Sequence, residues 1–174
     1  MRSFATGVCL VTTFRDTADG REHDALTVNS FTSVSLTPPL VSICLHRDSL
    51  FLEDLRTSDV WGISILDVCG DDIAVQFAKE REARAPALAG LGLTPAPRTG
   101  ALVMSGRSWL ECRMFQFVDA GDHTIVIGEV VGAQTAAGRP PLIFVGGKFR
   151  AARTRPSDGG WRGIAPDRFG AEQN

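Results

Sequence analysis

The stretch Ala25-Leu-Thr-Val-Asn-Ser-Phe-Thr-Ser-Val-Ser-Leu-Thr-Pro-Pro-Leu-Val41 decides how this chain is read. Read as a strand, it carries Thr27, Asn29, Phe31, Ser33 and Ser35 on one face and Leu26, Val28, Ser30, Thr32 and Val34 on the other. Buried strands are usually built from β-branched and aromatic residues, whereas this one is loaded with small hydroxyl and amide groups. Such groups are costly to bury unless they find partners. Small side chains also let a planar ligand lie close to the backbone, with hydroxyls and amide N–H groups turned toward it. The segment is expected to be one polar strand, ended by Pro38-Pro39, that walls a small-molecule site. The alternative is an edge strand bathed in water.

Around this strand the patterning is mainly β. Gly7–Phe14 is expected as a strand, followed by a charged turn over residues 15–23 with Asp19-Gly20 as a hairpin signal. Further strands are expected at Leu40–Leu45, Val60–Leu66, Ala101–Met104, Trp109–Val118, Thr124–Ala133 and Leu142–Val145. Ser49 caps a short helix over Leu50–Arg56, and Asp71 or Asp72 opens a second one reaching about Arg84, with Phe77 as a core anchor. Residues 85–100 hold three prolines and three glycines and are read as an irregular loop. Seven or eight short strands with two helices favour a closed barrel over an open sheet.

Composition removes several classes of function. At 174 residues the chain suits one domain. A net charge of −2 and a pI near 5.9 supply no basic field for nucleic acid. No apolar run approaches the roughly 20 residues that span a bilayer, and the start of the chain shows no signal-peptide core, so a cytoplasmic protein is expected. Cys9, Cys44, Cys69 and Cys112 form no CxxC pair, and His23, His46 and His123 lack metal-ligand spacing, so no metal is expected. Lysine is scarce: Lys79 and Lys148 stand against sixteen arginines, a bias that hints at a GC-rich bacterial genome. A GxGxxG turn, a phosphate loop, a HExxH pair and a GxSxG elbow are all missing from the sequence.

With these residues set out, Thr27–Val41 resembles the signature of the short-chain flavin reductases, the NAD(P)H-dependent reductase components of two-component flavin monooxygenases. The likeness continues, in the family's order, through FATGV (Phe4–Val8), IAVQFA (Ile73–Ala78), WLEC (Trp109–Cys112), AGDHTIVIGE (Ala120–Glu129), PLIF (Pro141–Phe144) and Phe149-Arg150. It covers roughly residues 4–150. The resemblance implies an FMN-binding split β-barrel of Greek-key type over residues 1–150. Residues 151–174, which include Trp161, are then a C-terminal extension acting as lid, arm or tail. It also implies a homodimer, non-covalent binding of FMN or FAD, and NADH or NADPH as co-substrate. The reduced flavin goes to a separate monooxygenase. Hydride transfer between nicotinamide and flavin needs no protein nucleophile, which accounts for the missing catalytic motifs.

Carried over by position, Thr27, Asn29 and Ser30 meet the ribityl chain and ring edge, and Ser33 and Val34 continue the contacts along the strand. Cys44 lies beside the ring, and Ser49, at a helix start, faces the phosphate. Ala78 and Arg84 flank the phosphate or an adenylate, with Arg81 as the competing cation. His123, within Gly-Asp-His, positions the nicotinamide. Two other readings of the same fold stay open: a flavoprotein that keeps its FMN for another redox step, and a barrel that binds a ligand or partner without catalysis.

Overall fold

The computed structural model describes residues 3–137 and 139–152. Twelve strands in three sheets and three helices are found among the described residues. In chain order they are β1 (Thr6–Gly7), β2 (Cys9–Thr17), β3 (Gly20–Val28), β4 (Thr32–Leu36), β5 (Pro39–His46), α1 (Leu50–Ser58), β6 (Val60–Ile65), α2 (Asp71–Gln76) and α3 (Arg81–Leu88). Then follow β7 (Leu93–Pro95), β8 (Leu102–Met104), β9 (Trp109–Ala120), β10 (His123–Gln134), β11 (Leu142–Val145) and β12 (Lys148–Ala151). The mainly-β expectation holds. All but Ala151 and Ala152 of the expected extension, Trp161 included, lies outside the described residues.

The principal sheet is antiparallel with the order β3-β2-β6-β9-β10-β5-β4. Its two edge strands, β3 and β4, are consecutive in sequence and joined only by Asn29–Phe31. Three residues reach about 10 Å when extended, so the sheet must curl until its edges nearly meet. The expected closed barrel is therefore corrected: no backbone ladder joins β3 to β4, and the curl stays split along that seam. Ser30 bridges the gap with its side chain. The Cys44 N–H donates to Ser30 Oγ at 2.9 Å, and the Ser30 hydroxyl donates to the Cys44 carbonyl at 3.3 Å. The single polar strand read over residues 25–36 is thus two strands, broken where the seam requires a crossing.

Alternation along β2 explains how one strand serves two cores. Cys9 and Val11 point into the curl with Ile43, Trp61, Ile63, Cys112 and Val126. Val8, just before the strand, and Leu10 face outward and pack with Ala25, Ala74, Phe77 and Leu142. Side chains alternate with period 2, so a strand buried on both faces opens as an apolar run, and its buried Thr12 and Thr13 give their hydroxyl protons to the Leu102 and Val60 carbonyls. Helix α1 plugs the inner core with Phe51, Leu52 and Leu55, all essentially fully buried, each contributing about 1.5–3 kcal/mol. It ends where Asp59 takes a left-handed conformation (φ 58°) and donates its N–H to the Leu55 carbonyl.

Three local readings change. Residues 15–23 are mostly strand: the turn is only Ala18-Asp19, and the charges pair across the ladder as Arg15–Glu22 and Asp16–Arg21. The helix expected from Asp71 to Arg84 breaks after Gln76 because its terminal carbonyls find better partners. The Phe77 carbonyl accepts the Thr27 N–H at 2.9 Å and the Lys79 carbonyl accepts Arg84 Nη1 at 2.9 Å, while the Phe77 ring is buried in the outer core. The expected loop over 85–100 instead carries the end of α3, which runs through Pro86, and strand β7 paired with β8.

Burial separates the cysteines chemically. It pushes the Cys9 thiol up to about 12, and with help from the neighbouring Glu111 charge it does the same to Cys112. Thiolate is the reactive form. Alkylation of the native protein at pH 8 should therefore modify Cys44 and Cys69 and spare Cys9 and Cys112 until denaturant is added. Mass spectrometry showing four rapid native modifications would contradict the packing described.

Candidate functional site

Four segments converge as the sheet curls: the exit of β3, the end of β5, the start of α1 and the link between α2 and α3. They enclose a cleft of about 550 Å³, within the range of roughly 300–1,000 Å³ usual for small-molecule sites. Thr27, Asn29, Ser30, Cys44, Ser49, Ala78 and Arg84 all line it. These residues come from positions 27 to 84, and the curl of the sheet brings them together.

Each has a definite setting. Thr27 Oγ1 is buried and has no hydrogen-bond partner among the described residues, while its backbone N–H is bound to the Phe77 carbonyl. Ser49 occupies the N-cap position of α1, yet its hydroxyl makes no capping hydrogen bond. The first amides of a helix and an uncommitted hydroxyl form a donor set that suits an anion. Cys44 stands across the seam from Ser30, half-buried.

The charges are tightly organised. Arg84 is clamped on Asp24: Nε donates to Oδ1 at 3.0 Å and Nη2 to Oδ2 at 2.8 Å. Arg81 Nη2 lies 2.8 Å from Asp24 Oδ2 and 2.6 Å from Asp54 Oδ2, whereas Arg81 Nε is buried without a partner among the described residues. Asp24 comes from β3, Asp54 from α1 and both arginines from α3, so the quartet ties α3 to the barrel. Most of Arg84's donors are thereby committed.

Three of the residues named from sequence lie elsewhere. Ser33 and Val34 are exposed on edge strand β4 and do not line the cleft, because the chain has turned away at Phe31. His123 also stands outside the lining, on β10 directly opposite His46. The two rings meet edge to face at 5.4 Å, and His46 does line the cleft. His123 Nδ1 is 2.8 Å from Asp122 Oδ1; with that carboxylate ionised, Nδ1 carries the proton in the neutral ring. The same hydrogen bond, reinforced by the ring's positive charge when it is protonated, holds the Asp122 carboxyl below its ordinary range. Sequence reasoning missed His46, although strand period places it on the same face as Cys44, two residues away. It also missed Lys79, Asp24 and Asp54.

The chemistry available is that of binding and orientation. Among the described residues no hydroxyl or thiol of the cleft is hydrogen-bonded to a histidine, and no cluster of three metal-ligating side chains occurs. A second cleft, about 340 Å³, is built around Asp67 and Arg107. There burial opposes the charge on Asp67, but the Arg107 guanidinium, its Nη1 2.6 Å away, and the hydrogen bond from the Cys69 N–H (2.9 Å) hold its carboxyl below the ordinary range. That cleft gathers none of the residues named from sequence.

Residues 1–153 match the model of the flavin reductase like domain. The chain is 35% identical over 151 residues to the NADH-dependent FAD reductase of Streptomyces globisporus, covering 84% of this chain and 79% of that protein. It is 37% identical to a probable flavin reductase of Rhizobium meliloti (strain 1021), but spans only 41% of that protein's length. Its fold superposes on the flavin reductase component of a bacterial two-component tryptophan halogenase with a TM-score of 0.78, at 35% identity, covering 88% of this chain and 94% of that one. The NADH:FAD oxidoreductase of Streptomyces globisporus C-1027, solved with NAD and FAD fragments, gives a TM-score of 0.78 at 33% identity and covers 90% of both chains.

Proposed function

The chain belongs to the family of flavin reductase like domains, and on that premise we propose that it transfers hydride from NADH or NADPH to FMN or FAD and releases the reduced flavin to a partner monooxygenase. The observation that carries the proposal is the cleft at the barrel seam, lined by the hydroxyl and amide groups of Thr27, Asn29 and Ser30. Its fit to a flavin has two supports. The buried Thr27 hydroxyl lacks a protein partner, as expected where a ligand supplies one. The uncommitted Ser49 hydroxyl at the start of α1 offers a phosphate its donors.

Flavin and nicotinamide supply the redox chemistry, and the chain supplies binding, orientation and exclusion of water. In this proposal Thr27, Asn29 and Ser30 hold the ribityl chain and ring edge, Cys44 lies beside the ring, and Ser49 meets the phosphate. Ala78 and Arg84 form the far wall. His123 positions the nicotinamide through its edge-on contact with His46. The names of the relatives favour NADH and FAD as the working pair. The proposal takes residues 1–150 as the reductase domain and 151–174 as an extension, and it includes a homodimer working in the cytoplasm.

NADH oxidation by the purified protein should require added flavin, and FMN, FAD and riboflavin compared side by side should rank its preference. Absence of turnover with every nicotinamide–flavin pair would overturn the proposal. Asn29→Leu should weaken flavin binding about tenfold, because it removes polar partners and sets an aliphatic group against a polar edge. Unchanged affinity would take Asn29 out of the site.

A further inference from the structure

The two arginines that line the cleft are neutralised from behind. Arg84 is held by Asp24, and Arg81 Nη2 is shared between Asp24 and Asp54. The lining alone carries three cations, Lys79, Arg81 and Arg84, against two carboxylates, Asp48 and Glu80. Once Asp24 and Asp54 are counted, three cations face four carboxylates. A cleft of this volume is roughly 10 Å across, about one Debye length at 0.1 M salt, so every one of these charges is felt throughout it.

We propose that Asp54 is a specificity-determining residue: with Asp24 it offsets the positive charge of Arg81 and so keeps the cleft's grip on a flavin phosphate weak enough for the flavin to leave. The inference rests on the flavin reading above. The arrangement is asymmetric in a way that assigns the roles. The Arg84–Asp24 pair is bidentate and side chains of both are 7% exposed, as expected of a strut. Asp24 carries one charge and Arg84 balances it, so Asp54 is the carboxylate that balances Arg81, whose Nε is buried with no partner among the described residues. Asp54 is therefore the charge of the quartet whose removal would leave Arg81 uncompensated toward the cleft. It cancels the attraction that this arginine and its neighbour Lys79 would exert on a phosphate. A protein that must surrender its flavin gains from that cancellation, whereas one that keeps its flavin would not.

The test compares FMN, which has the phosphate, with riboflavin, which lacks it, by quenching of flavin fluorescence on the full chain. Asp54→Asn keeps an oxygen for the Arg81 hydrogen bond and removes one charge. It should tighten FMN about five- to tenfold, as expected for one unit charge acting across a partly solvated cleft, and leave riboflavin within about twofold. In the unmodified chain FMN should bind no more than about tenfold better than riboflavin. FMN and riboflavin weakening together in the variant would show Asp54 to be only a strut and would overturn the inference. So would unchanged FMN affinity, or a larger FMN preference in the unmodified chain; this last comparison decides even where the variant does not fold. Failure of both flavins to bind the unmodified chain would instead overturn the flavin reading itself.

Discussion

Arg84→Met should destabilise the folded protein by about 3–5 kcal/mol, the range found when one partner of a buried ion pair is removed. The side chains of Arg84 and Asp24 are each only 7% exposed, so water cannot easily replace Arg84 on Asp24, which would keep only its contact with Arg81. The variant loses two charge-assisted hydrogen bonds to Asp24 and the bond from Nη1 to the Lys79 carbonyl. Those contacts dock α3 on β3 and hold the chain turn at Ala78–Glu80 that forms one wall of the cleft. For a domain of this size a loss of that order lowers the melting temperature by roughly 10 °C. Riboflavin and FMN affinity should both fall, in contrast to the selective tightening expected for Asp54→Asn. Thermal unfolding with circular dichroism measures the first effect and flavin titration the second. A loss below about 1 kcal/mol, the usual worth of an exposed pair such as Arg15–Glu22, would mean that the pair is not buried as described.

The same quartet marks how far the sequence could be read. Strand positions were legible because alternation and β-branched runs are local: Leu40–Leu45 and Val60–Leu66 lie within a residue or two of β5 and β6. Most of the cleft was legible for a different reason, namely that Thr27, Asn29, Ser30, Cys44, Ser49, Ala78 and Arg84 fall on segments that resemble one family. What escaped depends on long-range geometry. Nothing local at Asn29–Phe31 says that two sheet edges will meet there, so the resemblance carries Ser33 and Val34 past the point where the chain leaves the cleft. Asp24 and Asp54 are thirty residues apart, and only the packing of α1 against β3 makes them one anion pair for Arg81. Helix α2 stops because carbonyls of the link at Phe77 and Lys79 are taken by Thr27 and Arg84, partners that local propensity cannot foresee.

A similar silence surrounds Gly128, which sequence reasoning could place only within a strand and a family-like run. Its reason is the indole of Trp61, fully buried in the inner core. A Cβ on Gly128 would stand 2.6 Å from Trp61 Nε1 and 2.7 Å from Cζ2. Real packing does not tolerate such contacts, and a fully buried ring has little room to retreat. The register of β10 against β9 shifts between Ile127 and Gly128, so the strand is already irregular where the ring crosses it. Gly128→Ala should therefore destabilise the protein by about 2–4 kcal/mol through overpacking, read as a lower urea midpoint with little change in slope. The position faces the inner core, whereas Cys44 and His46 face the cleft from the other side of β5. Flavin affinity per folded molecule should thus change less than twofold. A stable Gly128→Ala protein would show that Trp61 has space beside it, and a folded variant that has lost flavin binding would show that the inner core and the cleft are mechanically coupled across the sheet.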